Sequence, residues 1–189
     1  LPTQTGADMV ATSAHKMQGP KGIGALWLRD GLDLPPLMHG GGQEQGIRPG
    51  TLSPMLCTGF GVAAQIAAQR RDADMAHVEA LWTHALDLFA DWQLNGSASA
   101  RYHGNLNIRR HGIDAARLMS DARNVALSLG SACASGSGRP SHVLKALGLS
   151  DSEARGSIRM GFGRYTTRAE LEEAAMLINA AAAGQNAAA

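Results

Sequence analysis

The chain has 189 residues and a formal net charge of +1, with 17 Lys and Arg against 16 Asp and Glu. This near balance argues against a nucleic-acid or membrane-surface partner, since such partners favour a basic patch or stripe. The length suffices for about one domain with a substantial hydrophobic core. The two cysteines stand in dissimilar surroundings, so they predict no disulfide framework.

The sequence carries no sign of targeting to a membrane or to secretion. Residues 1–5 lack both the basic and the apolar segment of a secretory signal, so we expect a cytoplasmic protein. Residues 49–69 are uncharged, but their prolines and glycines make a poor membrane span. We predict a buried or interface helix there instead.

The first third of the chain is predicted to form two strands around a lysine turn. Asp8–Thr12 and Ile23–Arg29 have the apolar content of strands. Between them stands Ser-Ala-His-Lys, ending at Lys16, and then a glycine-rich segment that can aim the lysine inward. Such a turn can hold an amine against an anionic, planar cofactor, although a solvated surface lysine is the simpler interpretation. Gly31–Thr51 is rich in Gly and Pro and should be irregular.

The rest of the chain alternates helices and strands. Predicted elements are a small-residue helix over Pro54–Arg71, an amphipathic helix from Met75 to Trp92, a strand at Asn105–Ile108, a helix near Ile113–Arg123 and a strand at Val125–Leu129.

Near the carboxyl terminus the sequence gives helix-capping signals. Ser150 with Glu153 and Thr167 with Glu170 have the spacing of capping boxes, and the second opens an apolar-faced helix. We expect the tail after Ala183 to be frayed. The histidines show no metal-ligand spacing, so no metal site is predicted.

The two cysteines predict different roles. Cys57 stands between Leu56 and Thr58 in an apolar run, which favours a buried core position. Cys133 stands among serines and glycines in residues 128–138, where a thiol would be accessible for reaction. These residues alone leave open both a catalytic thiol and an ordinary surface-loop cysteine.

Taken together, the motifs resemble those of the cysteine desulfurases, which are pyridoxal-phosphate enzymes. The resemblance follows the family's order and covers nearly the whole chain. It rests on Ser13–Lys16 with Gly19–Gly24, His39–Glu44 with Arg48–Thr51, Asn105–Ile108, Gly130–Cys133 with Pro140–Leu144, and Ser157–Arg159.

The resemblance implies a role for individual residues. Lys16 would form the Schiff base with pyridoxal phosphate and then move the α-proton. Ser13 and His15 would hydrogen-bond the cofactor phosphate, and Thr51 would contact the phosphate of a partner subunit. A structural role for His15 and a helix N-cap at Thr51 are the alternatives.

Two further residues would act on the substrate. Cys133 would attack the sulfur of bound L-cysteine and keep it as a persulfide, releasing L-alanine. Arg159 would clamp the substrate carboxylate, with an ordinary strand salt bridge as the alternative. Asn107 is interpreted as structural.

The implied fold is α/β, of the fold-type I pyridoxal-phosphate class. Residues 1–53 would end the large cofactor domain, residues 54–72 would form an interdomain helix, and residues 73–189 would form the small domain. The family's Asp on the pyridinium nitrogen, its ring-stacking His and its glycine/threonine phosphate turn are not found, which predicts the carboxy-terminal part of a longer enzyme. A homodimer and an iron–sulfur scaffold or other sulfur acceptor are the implied partners.

Three alternatives stay open. A selenocysteine lyase would use nearly the same residues, and another class V aminotransferase would need no loop cysteine. The chain alone could also be an inactive docking or dimerisation domain. Departures from the family pattern at Gln45, Pro49 and Gly104 remove no group that the chemistry needs.

Overall fold

The computed structural model describes residues 5–129 and 141–187. The chain divides into two compact units, Leu1–Asp72 and Ala73–Ala189. We call them unit 1 and unit 2. Each is described by itself below.

Unit 1 is built on an antiparallel hairpin. Strand β1 (Met9–Ser13) pairs with β2 (Gly24–Leu28), and Ser13 stands opposite Gly24. Both strands were predicted. The Gly- and Pro-rich segment that follows is irregular as expected, apart from one 3-10 turn at Gln43–Gly46.

The two helices predicted over Pro54–Arg71 and Met75–Trp92 are one continuous helix. Helix α1 runs over Pro54–Leu88. No glycine or proline lies between residues 62 and 95, so nothing in the sequence interrupts the backbone hydrogen bonding. Trp92 lies beyond the helix but is still buried, and its indole Nε1 donates to Asn179 Oδ1 at 2.8 Å.

Unit 2 contains a four-stranded antiparallel sheet in the order β3-β4-β6-β5. Its strands are β3 (Gln93–Leu94), β4 (Asn105–Arg109), β5 (Ser128–Leu129) and β6 (Ser157–Gly161). Strand β5 is shorter than the predicted Val125–Leu129. The Val125 amide bonds the Ala122 carbonyl and the Leu127 amide bonds the Val125 carbonyl, so this part of the backbone forms a turn.

In the described residues of unit 2, four helices accompany the sheet and the second half of α1. They are α2 (Ala115–Asp121), α3 (His142–Ala146), α4 (Asp151–Arg155) and α5 (Arg168–Ala187). The capping box at Ser150 and Glu153 is confirmed. The one at Thr167 and Glu170 is confirmed as well, with reciprocal bonds of 3.2 Å and 2.7 Å.

The core of unit 2 lies between one face of the sheet, α1 and α5. It includes Leu81, Trp82, Ala85, Leu106, Ile108, Ile158, Met160, Leu171, Ala175 and Ile178. The β4 and β6 members alternate along their strands, and Leu106 pairs with Met160 while Ile108 pairs with Ile158. Residues at the intervening positions, Asn107 and Arg159 among them, therefore point to the other face of the sheet.

The expectation of a frayed tail after Ala183 was wrong, because α5 continues to Ala187. Gln185 is buried there. Its amide accepts from the Asp114 backbone N–H at 3.0 Å and donates to the Asp114 carbonyl at 3.2 Å. This pair of bonds ties the last turn of α5 to the start of α2.

Candidate active site

Lys16 lies on a single 3-10 turn, Ala14–Met17, directly after β1. Its side chain is exposed, whereas Ala14 is completely buried beneath the turn. The Ala14 amide donates to the Ile23 carbonyl at 3.1 Å, and the Gly19 amide donates to the Ala14 carbonyl at 2.9 Å. The backbone that carries Lys16 is therefore fixed on both sides while the amine stays accessible.

Small residues allow this turn to pack closely on α1. A Cβ added to Gly19 would lie 3.0 Å from both the Ala14 carbonyl oxygen and Ala63 Cβ. One added to Gly59 would lie 3.1 Å from the ring of Pro20. Gly59 and Ala63 are therefore small where α1 meets this segment, since larger side chains there would push the lysine turn away.

Ser13 and His15 flank the same turn. Ser13 ends β1 and is half-buried, and His15 is exposed next to Lys16. Three groups that can meet an anionic ligand (an amine, a hydroxyl and an imidazole) thus come from four consecutive residues. Their predicted phosphate contacts stay predictions.

Thr51 is exposed and lies three residues before α1 begins at Pro54. The position before the helix belongs to Ser53, so Thr51 is not the helix N-cap. In the loop before it, Gln43 Oε1 accepts from the Gly50 amide at 3.1 Å. Pro49, which departs from the family pattern, is buried. It packs against Gly40, since a Cβ added to Gly40 would lie 3.1 Å from the Pro49 Cβ.

The prediction of a buried Cys57 was wrong, because this cysteine is exposed. Leu56, Gly59 and Ala63 lie along the face of α1 that meets the lysine turn and the residues after it. Cys57 stands about 100° further round the helix from Leu56. The apolar run is thus helical, and only part of its circumference is covered by the described residues of unit 1. Of the predicted buried or interface helix, the interface option stays a prediction.

Cys133 lies outside the described residues, in the range 130–140. Its predicted role as nucleophile stays a prediction that rests on the sequence.

Arg159 stands in the middle of β6, opposite Asn107 of β4 and Ser128 of β5. Its Nε donates to Ser128 Oγ at 3.2 Å. Among the described residues no carboxylate pairs with it, so the salt-bridge alternative is not found there. The side chain is half-buried on the face of the sheet away from the core.

Asn107 belongs to a partly buried polar network. Asn95 Nδ2 donates to Asn107 Oδ1 at 2.7 Å and to Ser157 Oγ at 3.0 Å, while Arg109 Nη1 donates to Asn95 Oδ1 at 2.6 Å. These bonds satisfy polar groups that would otherwise be costly to bury. The structural interpretation of Asn107 fits this arrangement.

The predicted site residues fall into separate groups. Lys16, Ser13 and His15 come together in unit 1, and no hydrogen bond or ion pair between described residues joins Thr51 to them. Arg159 belongs to unit 2. Sequence reasoning missed Ser128, and only the strand register, which places it opposite Arg159, could have indicated it.

Within residues 5–129 and 141–187 there is no group of three His, Cys, Asp or Glu side chains that could hold a metal ion. None of the helices in the same ranges combines the length and the apolar content of a membrane span.

A family model described as "Aminotransferase class-V" matches residues 2–173. The match includes the hairpin with Lys16, both halves of α1 and the sheet with Arg159. The chain belongs to the class V aminotransferase family.

Within this family, the chain is similar to proteins named as cysteine desulfurases. It is 45% identical over 172 residues to "Probable cysteine desulfurase, mitochondrial" of Schizosaccharomyces pombe, covering 88% of this chain and 34% of that protein. It is 42% identical over 177 residues to cysteine desulfurase IscS of Rickettsia typhi, covering 90% and 43% respectively.

A solved structure titled "NifS-like protein" superposes with a TM-score of 0.81 at 27% identity. The superposition covers 93% of this chain and 46% of the chain in the solved structure. The predicted α/β fold class and the resemblance to the cysteine desulfurases are thereby confirmed. The chain spans less than half the length of each of these three proteins.

Proposed function

We propose that this chain is the carboxy-terminal part of a pyridoxal-phosphate-dependent cysteine desulfurase, which converts L-cysteine to L-alanine. The observation that carries the proposal is the fixed turn with its exposed Lys16, in a chain whose relatives are named as cysteine desulfurases. In this proposal residues 1–53 end the cofactor domain and residues 73–189 form the small domain. Residues 54–72 form the interdomain helix that connects the two.

The residues around Lys16 fit pyridoxal phosphate in their chemistry. The Lys16 amine can hold the cofactor aldehyde, and the Ser13 hydroxyl and His15 imidazole can donate to its phosphate. Gly19 and Gly24 allow the backbone segments around Lys16 to approach each other closely. A Cβ on Gly24, for example, would lie 2.5 Å from the Thr12 carbonyl oxygen on the paired strand. When bound, the cofactor supplies an electron sink for the substrate's α-carbon.

The chain's own residues then have distinct tasks. Lys16 moves the proton of the substrate α-carbon, for which an amine beside the cofactor is suited. Arg159 binds the substrate carboxylate with two parallel hydrogen bonds and so fixes its orientation. Thr51 contacts the phosphate bound by a partner subunit, which makes the enzyme a homodimer.

Cys133 takes up the sulfur. Its thiolate attacks the substrate sulfur, an S–S bond forms, and the Cβ–S bond breaks. The electron pair of the broken bond stays on Cβ and takes a proton, which yields L-alanine and a Cys133 persulfide. The persulfide then passes to an iron–sulfur scaffold or to a tRNA-thiolation partner. The cytoplasmic location expected from the sequence is also part of the proposal.

The test measures alanine and persulfide formed from L-cysteine by the complete gene product loaded with pyridoxal phosphate. Lys16→Ala should abolish turnover and the cofactor's visible absorption, while Lys21→Ala, on the same exposed loop, should keep both. Cys133→Ser should abolish sulfur release, and Cys57→Ser should leave it unchanged. We expect losses of at least about 100-fold for the first variant of each pair.

Other outcomes separate the alternatives. Activity that survives Cys133→Ser would indicate a different class V aminotransferase, and faster turnover of selenocysteine than of cysteine would indicate a selenocysteine lyase. If no Lys16-dependent absorption appears in the complete gene product under any condition, the chain is an inactive docking or dimerisation domain and the proposal fails.

A further inference from the structure

Ser128 and Arg159 face each other directly across the pair β5–β6. Their side chains therefore lie on the same side of the sheet. Ser128 Oγ accepts from Arg159 Nε at 3.2 Å and is placed to donate to the Arg159 backbone carbonyl at 3.4 Å. One hydroxyl thus contacts both the main chain and the guanidinium of the same arginine.

No other described residue hydrogen-bonds the Arg159 side chain. Asn107, its neighbour on β4, directs its carbonyl oxygen to Asn95 at 2.7 Å instead. Ser128 is therefore the one described residue that holds this guanidinium by a hydrogen bond.

The bond to Nε decides which edge of the guanidinium stays available. A carboxylate can bind an arginine through Nε with one Nη, or end-on through Nη1 and Nη2. With Nε occupied by Ser128, the end-on pair remains. The Cδ–Nε torsion is restrained at the same time, so less side-chain freedom is lost when a carboxylate binds.

We propose that Ser128 is a positioning residue for substrate recognition: it holds Arg159 by Nε so that Nη1 and Nη2 meet the carboxylate of the amino-acid substrate end-on. The inference rests on the proposed function, in which Arg159 binds that carboxylate. It adds the residue that orients the arginine and the edge that the substrate uses.

The first test is kinetic and uses the complete gene product loaded with pyridoxal phosphate. Ser128→Ala should raise KM for L-cysteine by roughly 10-fold, since a hydrogen bond to a charged group is lost, with kcat changed by less than about 2-fold. Ser128→Thr keeps the hydroxyl and suits a strand, so it should restore KM. Ser152→Ala, on the exposed face of α4, is the matched control.

A double-mutant cycle separates positioning from general damage. In an Arg159→Lys background, where KM is already raised, Ser128→Ala should raise KM no further. If the two effects multiply instead, Ser128 acts independently of Arg159 and the inference is overturned.

A second test reads the contact without catalysis. The measurement is NMR spectroscopy of the 189-residue chain, in which the Nε–H resonance of Arg159 is assigned by its loss in Arg159→Lys. Ser128→Ala should shift this signal and speed its exchange with water, and Ser128→Thr should restore both. An unchanged signal in Ser128→Ala would contradict the contact.

The two levels of failure are distinguishable. If the gene product does not turn over L-cysteine, the proposed function fails and takes this inference with it. If turnover occurs and Arg159→Lys raises KM while Ser128→Ala does not, the proposed function stands and only the role of Ser128 is refuted.

Discussion

The two units of the chain differ in how they are held together. In unit 2 the sheet, α1 and α5 enclose a continuous core in which Leu106, Ile158 and Ile178 are completely buried. In the described part of unit 1 the buried apolar residues are small, namely Ala14, Pro49 and Ala63. Eight larger apolar side chains in the same described part are exposed, namely Met9, Leu26, Leu37, Met38, Leu52, Met55, Val62 and Ile66.

This difference concerns function, because Lys16 belongs to the unit with little core. A two-stranded hairpin is marginally stable by itself, so unit 1 depends on backbone hydrogen bonds and on the close packing of small residues. Arg159 instead lies in the sheet of the unit with the larger core. We therefore expect the Lys16 amine to be held less firmly than the Arg159 guanidinium.

The largest expected effect comes from a cavity in the core of unit 2. Ile158→Ala should lower the free energy of unfolding of unit 2 by about 2–5 kcal/mol, since the surrounding side chains cannot fill the space. Urea unfolding followed by tryptophan fluorescence measures this. In a Trp27→Phe background the remaining tryptophans, Trp82 and Trp92, both report on unit 2.

Leu37→Ala is the matched change in unit 1, where Leu37 is fully exposed. It should alter stability by less than about 0.5 kcal/mol. A large loss from Leu37→Ala, or none from Ile158→Ala, would contradict the contrast between the units.

Two glycines give a second, smaller test. A Cβ on Gly104 would lie 2.7 Å from the Phe162 carbonyl oxygen, and one on Gly24 would lie 2.5 Å from that of Thr12. Gly104→Ala should destabilise unit 2 by about 1–3 kcal/mol, because backbone must shift. Gly24→Ala should instead open the hairpin and leave the unfolding of unit 2 unchanged.

Hydrogen exchange of the Ala14 amide measures the second effect, since this amide donates to the Ile23 carbonyl beside Gly24. Faster exchange at Ala14 with unchanged protection at Ile158 is the expected result for Gly24→Ala. Equal loss of protection at both sites would mean that the two units unfold together.

In both units, the features that could be predicted from the sequence are local ones. The hairpin strands, the lysine turn and both capping boxes depend on residues within a few positions of each other, and local patterns specify them. The family resemblance indicated the remaining candidate site residues by their motifs. In both cases the information lies in a short stretch of sequence.

The features that could not be predicted depend on distant neighbours. The exposure of Cys57 follows from which face of α1 meets the lysine turn, and the ordered end of α5 follows from the contact of Gln185 with Asp114, 71 positions away. The Ser128–Arg159 contact needs the strand register across 31 positions. Periodicity gives an element its type, but it does not give its neighbours.

The smallest expected effect concerns His103. Its Nδ1 lies 2.5 Å from Glu79 Oε2, and its Nε2 lies 3.0 Å from the Ala98 carbonyl oxygen. Both neighbours are acceptors, so both ring nitrogens donate only in the protonated form. The ring also stacks on Trp82 at 4.6 Å between centroids, with Arg101 as the other nearby charge.

The hydrogen bond to Glu79 raises the pKa of His103 above its ordinary value, with a further contribution from the Ala98 carbonyl. A raised pKa in the folded state means that the stabilisation is fully present below the unfolded pKa of about 6.5 and is lost as the pH rises through the folded pKa. The free energy of unfolding of unit 2 should therefore fall over this window, by less than about 1 kcal/mol because Glu79 is exposed. Glu79→Gln should flatten this dependence. A decrease of the same size in Glu79→Gln would assign the pH dependence to another group.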